Sequence, residues 1–400
     1  MTVRLRHISA INPPTPEFDR LAGDAEIPFV PLEAVWPGDR LDVSRRRRKD
    51  DVATGYTRFR NRDILVPKIT PTFQADRTVI AQRLEGGVAA GTTELHIVRV
   101  GPVTDARYVR YLLSSKPFLD EGEASMIGVA GQKRVPDECL RHLVVPVVDV
   151  GQQRAIADYL DAETARIDAL IEKKRRMVEL LEERRRRHIS LLLWSDAYRR
   201  IRLKNVVGRP TSGNRDHSSF SLTDEGVPCL RGLNVRQGWI DRANLLFIAH
   251  GEHLRHAASE LHAGDVVVVR SGLAGSAAVI PEDLDRCNCV DLVIIRHDDC
   301  LDSKYLAYVL NSDEAQEQIR RRTSGALLMH FNADQCGELH IPYPARTEQR
   351  CLVTELDRAG GRLVCLGNVL EQQVGKLAER RQALITAAVT GELPIPRGAA

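Results

Sequence analysis

Residues 140–193 lie over residues 336–389 at a constant offset of 196, without a gap, and identical residues recur along the stretch. Pro146 falls on Pro342, Gln153-Arg154 on Gln349-Arg350 and Leu160-Asp161 on Leu356-Asp357. Leu181 meets Leu377, Glu183-Arg184-Arg185 meets Glu379-Arg380-Arg381, and Ile189 meets Ile385. Upstream, at offset 197, residues 94–99 lie over 291–296, and Asp105, Tyr108, Tyr111, Leu113 and Ser115 fall on Asp302, Tyr305, Tyr308, Leu310 and Ser312. Residues 63–66 resemble 265–268 at offset 202. A chain that repeats itself must build one supersecondary unit twice. The 400 residues therefore read as a tandem duplication of about 200, best preserved at the end of each copy and diverged at its start.

The preserved part has a clear physical meaning. Leu356, Leu363, Leu370, Leu377 and Leu384 recur every seven residues, with Leu352 and Leu366 on the adjacent row. An apolar seam sustained over several heptads makes a helix wrap against a partner helix. The first copy carries Leu160, Ile167 and Leu181 on one row and Ile156, Leu170 and Met177 on the other, interrupted by Lys174, Arg184 and His188. Each segment would form a helix about 60 Å long at 1.5 Å per residue. Gly360-Gly361 interrupts the second near its start, and Thr390-Gly391, with Pro394 and Pro396 beyond, stops it.

The remainder of each copy reads as mixed α/β. Runs such as 143–148 and 266–269 are β-branched, bounded by Gly, Pro and Asp, and look like strands, while 108–113 and 305–310 look like short helices. The expected fold class is α+β. It comprises two mixed α/β globular domains separated by two long antiparallel coiled-coil helices, a tandem repeat with pseudo-two-fold organisation. The boundaries predicted are a globular domain at 1–148, a long helix within 149–198, a second globular domain at 199–344, a second long helix within 345–392, and a tail at 393–400. Such a path would hold the two globular domains at opposite ends of a stiff spacer.

Composition narrows the function classes. An apolar fraction of 43% argues against wholesale disorder, and 5% aromatics argue against a protein built on base-stacking platforms. The 57 Lys+Arg against 54 Asp+Glu leave only +3, so any basic surface must be local. No apolar core follows Met1, and no stretch approaches 18 apolar residues, so a cytoplasmic protein without leader or membrane span is expected. Eight scattered cysteines include no Cys-x-x-Cys pair. Cys287, Cys289, His297 and Cys300 are the nearest approach to a metal cluster and read as reduced thiols, so no metal is expected. Asn12-Pro13-Pro14-Thr15 lacks the aromatic of an amine-gripping methyltransferase loop, and Gly272-Leu273-Ala274-Gly275-Ser276 lacks the lysine of a phosphate loop. With no Gly-x-Ser-x-Gly elbow either, no catalytic residue and no bound cofactor are expected in this chain.

Local charge says more than the total. Arg45, Arg46, Arg47, Arg48 and Lys49 form a run in a polar stretch that reads as a loop, and Arg320, Arg321 and Arg322 precede Thr323-Ser324-Gly325. Such clusters neutralise phosphates and release counterions. The basic runs at 173–176 and 184–187 are interspersed with Glu172, Glu179, Glu182 and Glu183, which suits a solvated or partner-facing helix surface.

Taken together, the pattern resembles the DNA-specificity subunits of Type I restriction–modification systems. The resemblance rests on the repeated passage from strand to long helix. It reads Val144-Val145-Pro146, then Gln152-Gln153-Arg154-Ala155-Ile156-Ala157-Asp158-Tyr159-Leu160-Asp161 in the first copy. In the second it reads Ile341-Pro342-Tyr343-Pro344, Glu348-Gln349-Arg350 and Leu356-Asp357, with the ending Leu384-Ile385-Thr386-Ala387-Ala388-Val389-Thr390-Gly391. The resemblance implies that each globular domain reads half of a split double-stranded DNA target and that the helices fix the gap. It implies two modification subunits per chain, which would bind S-adenosylmethionine, and a restriction/translocase subunit. Residues 62–70 and 264–272 are similar to the family's strand and DNA-facing loop, so Lys68, Thr70, Arg270, Ser271 and Gly272 join the two arginine runs as candidate DNA-binding residues. The alternatives are an orphan or related-type specificity protein, or a coiled-coil scaffold that binds no DNA.

Overall fold

The computed structural model describes residues 2–129, 132–214, 222–272, 274–296, 298–322 and 330–395. The chain divides into two compact units, Met1–Arg176 with Glu371–Ala400, and Met177–Leu370. Both long helices, Val150–Leu193 and Arg346–Thr390, run through this division. Each unit therefore holds one globular part and a half of each helix. The expected α+β class with two long helices is what the chain forms.

In the first unit a four-stranded antiparallel sheet has the order Ser9–Ile11, Leu95–Val100, Ile64–Pro67, Val79–Ile80. A second sheet runs Arg46–Arg48, Glu26–Val30, Val88–Gly91, Thr57–Arg60, with its middle pair parallel. A short ribbon, Thr2–Arg4 against Val144–Pro146, joins the entry and exit of the globular part. The second unit repeats the plan. Its sheet Thr211–Ser212, Leu292–Ile295, Val266–Val269, Ala277–Val279 matches the first, and Arg200–Arg202 pairs with His340–Pro342 as the closing ribbon. Its other sheet again centres on a parallel pair, Val227–Leu230 with Cys287–Cys289.

The duplication extends to single hydrogen bonds. Asp105 accepts from the N–H of Arg107 and Tyr108 to cap the helix Ala106–Leu112, and Asp302 accepts from Lys304 and Tyr305 to cap Ser303–Leu310. Gln153 Oε1 accepts from the Asp105 N–H at 2.8 Å, and Gln349 Oε1 from the Asp302 N–H at 2.9 Å. Tyr111 donates to Asp161, and Tyr308 to Asp357, each at 2.7 Å. These explain why Gln153 and Asp161 recur as Gln349 and Asp357: the first turns of each long helix are fastened to a globular part. The helices also contribute to each core. Leu160, Ile385 and Val389 pack with Ile64, Val98, Tyr108 and Tyr111, while Leu193, Leu352 and Leu356 pack with Val266, Val293 and Tyr305.

Within the first unit the helix halves run antiparallel, for Asp168 meets Arg381 at 2.9 Å and Lys174 donates to Gln373 at 2.6 Å. In the second, Ile189 and Leu192 share a cluster with Leu352 and Leu356. Ile156, Leu160, Ile167, Leu352, Leu356 and Leu370 are buried, and Leu181, Leu363, Leu377 and Leu384 are half-buried. Three expected seam positions are not in the seam. Leu170, Met177 and Leu366 are 47%, 48% and 46% exposed. The second row is instead Thr164, Ile171, Val178 and Arg185 on one helix and Gly367, Val374, Arg381 and Ala388 on the other. Both candidate rows lie within one turn of the leucines, and the inward one carries polar and small side chains that apolar periodicity overlooks.

Gly360 and Gly361 sit inside the second long helix with open space where a Cβ would lie. Replacing either by alanine is expected to stabilise the chain by about 0.5–1 kcal/mol, because glycine loses the most backbone entropy in a helix. A rise in the denaturation midpoint at constant slope is the readout.

All eight cysteines are free, and burial pushes the Cys287 thiol up to about 12. Among the described residues no group of three or more His, Cys, Asp or Glu could hold a metal, and no helix is long and apolar enough to cross a membrane. His297, Pro396 and residues 323–325 lie outside the described residues.

Candidate nucleic-acid interface

The central strand of each main sheet, Ile64–Pro67 or Val266–Val269, is buried on both faces and delivers the chain into a loop. Just before each strand a buried aspartate anchors the sheet. Asp63 takes two bonds of 2.7 Å from Arg99, and Asp265 takes one of 2.7 Å from Arg296. The loop after the first strand spans residues 68–78 and that after the second spans 270–276, so the copies diverge in length here.

Lys68, expected to face DNA, is half-buried among Glu94, Arg134 and Asp137. Burial pushes its ammonium below the usual lysine range, with Arg134 adding to the effect and Glu94 opposing it. Arg134 forks onto Glu94 with bonds of 2.9 and 2.8 Å, which holds the Glu94 carboxyl below its usual range. Thr70 is half-buried and donates its N–H to the Lys133 carbonyl at 3.0 Å. Phe73 then anchors the loop edge-on to Phe118, in a notch that a Cβ on Gly122 would fill. In the second copy Arg270 pairs with Asp291 at 3.1 Å, Ser271 shares a 2.9 Å hydrogen bond with His330 Nδ1, and Gly272 has φ +79°.

The arginine runs are placed differently from expectation. Residues 46–48 are not looped: Arg46–Arg48 is an edge strand paired with residues 26–28. An unbroken run of exposed arginines, with no apolar alternation, hid the strand, and charge on an open edge discourages pairing with other chains. Arg45 bonds Glu33 at 2.8 Å, Arg46 pairs with Glu85, and Arg47 lies 4.3 Å over the Phe29 ring. Arg48 and Lys49 have no side-chain ion pair among the described residues. Arg320 and Arg321 pair with Glu317 at 2.8 Å, and Arg322 donates to the carbonyls of Gln318 and Glu338. Several of the candidates are thus neutralised from within their own unit.

Sequence reasoning missed the stretch that frames each loop. The Val135 N–H donates to the Lys68 carbonyl at 2.8 Å, and the Phe331 N–H to the Arg270 carbonyl at 2.9 Å. These are the same bond in the two copies. His96 completes the first frame, its Nε2 2.8 Å from the Val135 carbonyl and its Nδ1 3.3 Å from Asn12 Nδ2. Asn12 Oδ1 in turn accepts from the Ile97 N–H at 2.9 Å, so the Asn-Pro-Pro leader acts as a structural clasp. The recurring Gly128 and Gly325 were the signal available in the sequence.

No family model matches the chain. The specificity subunit of the Type I restriction enzyme EcoAI from Escherichia coli is 37% identical over 158 residues, 38% of this chain and 26% of that protein. The EcoEI specificity subunit, also from Escherichia coli, is 37% identical over 150 residues, 36% and 24% of the two chains. The matched chain thus spans about a quarter of the length of these curated relatives. A solved chain from work on complex assembly and conformational transition of the type I R-M system superposes with a TM-score of 0.77 at 17% identity, covering 98% of both chains. The HsdS subunit from Thermoanaerobacter tengcongensis gives 0.53 at 16% identity, covering 98% and 97%. In fold over nearly its whole length, and in sequence over part of it, the chain is similar to the specificity subunits of Type I restriction–modification systems.

Proposed function

We propose that this chain is the DNA-specificity subunit of a Type I restriction–modification complex and carries no catalytic residue of its own. Each globular part reads one half of a bipartite duplex target, and the long helices set the gap between the halves. The observation that carries this reading is the duplication: one framework bond and one sheet recur in both units, while the loops they frame differ in length and side chains. Two readers on a stiff spacer gain affinity together only when the half-site gap fits. Lys68, Thr70, Arg270, Ser271, Gly272 and the basic residues at 45–49 and 320–322 are candidate positioning contacts to phosphate.

Methyl transfer and cleavage belong, on this reading, to two modification subunits binding S-adenosylmethionine and to a restriction/translocase subunit. The outward apolar side chains Leu170, Met177 and Leu180 on one helix and Leu366 and Val369 on the other suit docking of such partners. Replacing residues 1–148 by the equivalent part of another specificity subunit is expected to change one half of the methylated sequence and leave the other half and the gap intact. Methylation-sensitive sequencing of the host genome reads this, and a change in both halves would refute the assignment.

A further inference from the structure

We infer that the side chains that read bases sit not chiefly on the loops after the central strands but on the stretches that frame them: Ile127, Val129, Gln132 and Lys133 in the first unit, and His330 in the second. This rests on the reading of the chain as a DNA-specificity subunit and names the surface that would do the reading.

The strongest loop cations are engaged within their own units. Lys68 is half-buried beside Glu94 and Asp137, and Arg270 is paired with Asp291. A cation so placed holds its loop in shape and offers little to a base edge. In the first unit the described framing residues are the reverse case, with backbone bonds that hold them and side chains that face outward. The Ile127 N–H donates to the Arg134 carbonyl at 3.0 Å and the Arg134 N–H to the Ile127 carbonyl at 2.9 Å. Lys133 and Val135 tie the same stretch to Thr70 and Lys68. From this frame Ile127 and Val129 project 71% and 74% exposed, and Gln132 and Lys133 are exposed beside them.

One exposed apolar side chain needs no explanation. Two β-branched ones on a pinned stretch, next to an amide and an ammonium, form a surface with the chemistry of a base edge. Apolar side chains contact the thymine methyl, an amide pairs with adenine and an ammonium with guanine acceptors. The second unit repeats the frame through Phe331 and Arg270 but presents His330, held by Ser271. A shared frame with unlike side chains is what two readers of different half-sites require.

The test uses the full chain in its complex with the host modification subunits, measuring methylation rates on a library varied at each half-site position. Replacing thymine by uracil one position at a time removes only the methyl group. At a thymine of one half-site this is expected to cut the wild-type rate about tenfold, the discrimination that one apolar carbon supplies in a well-packed contact. In the double variant Ile127→Ala, Val129→Ala that uracil effect disappears, while the other half-site, the gap and the melting temperature stay unchanged. His330→Ala relaxes only the other half-site. If no thymine responds to uracil, or the variants keep full discrimination at a wild-type bipartite site, the inference is overturned and the specificity-subunit reading stands. If wild-type protein directs methylation to no bipartite site, both fall.

Discussion

Asp63→Ala is expected to destabilise the first unit by about 3–5 kcal/mol, the cost of stranding a buried charge by removing its partner. Asp63 is 1% exposed and accepts three bonds: two of 2.7 Å from Arg99 and one of 2.8 Å from the Arg60 N–H. Arg99 is itself mostly buried and also donates to the Pro14 carbonyl at 2.8 Å, so it cannot swing out to water without breaking the leader's clasp. Domains are stable by only about 5–15 kcal/mol in total, so a loss of this size would leave the first unit partly unfolded at growth temperature. Asp265→Ala should cost less, because Arg296 is 39% exposed and solvent can compensate it. Chemical denaturation of both variants checks the order. In a double-mutant cycle Asp63→Ala with Arg99→Ala should cost less than the sum of the two, since the pair is removed together. Equal costs for Asp63→Ala and Asp265→Ala would show that burial of the arginine does not set the penalty.

The sequence made the duplication and the long helices legible because they rest on long, gap-free periodicity, the signal least disturbed by tertiary context. Asp105, Gln153 and Asp161 were visible as repeated letters, but their bonds are contacts between distant segments and have no local signature. The seam was half legible. Leucines marked one row, whereas the facing row hides Thr164, Gly367 and Arg381, of which Arg381 is satisfied across the helix pair by Asp168. The interface was the least legible part. Counting cations favoured residues 45–49, and the resemblance added Lys68 and Arg270, because a sequence displays charge but not the carboxylate that folding brings beside it. Glu33 and Glu85 reach Arg45 and Arg46 from other turns of the chain, and Asp291 reaches Arg270 from a different strand connection.

One heptad inserted at matched points of both long helices, after Lys174 and before Gln373, is expected to abolish methylation at the original target and lengthen the preferred gap by about three base pairs. Seven helical residues add about 10.5 Å, close to three steps of about 3.4 Å in DNA. The insertion must be matched because the helices are antiparallel. In one helix alone it would throw Asp168–Arg381 and Lys174–Gln373 out of register and bulge the seam rather than lengthen it. A heptad preserves the seam, drifting only about 20°. Three base pairs turn DNA by about 100° at roughly 10 to 10.5 base pairs per turn, so the domains meet the longer target rotated. The recovered rate on that target should therefore stay below the wild-type rate on its own. At the original gap the two readers can no longer engage together, and the loss should approach the 10²–10⁴-fold that bivalence supplies. Genome-wide methylation mapping of the insertion strain reads half-sites and gap together. Unchanged half-sites with a longer gap support a helix ruler, whereas an unchanged gap would mean that the spacing is set by the partner subunits and not by these helices.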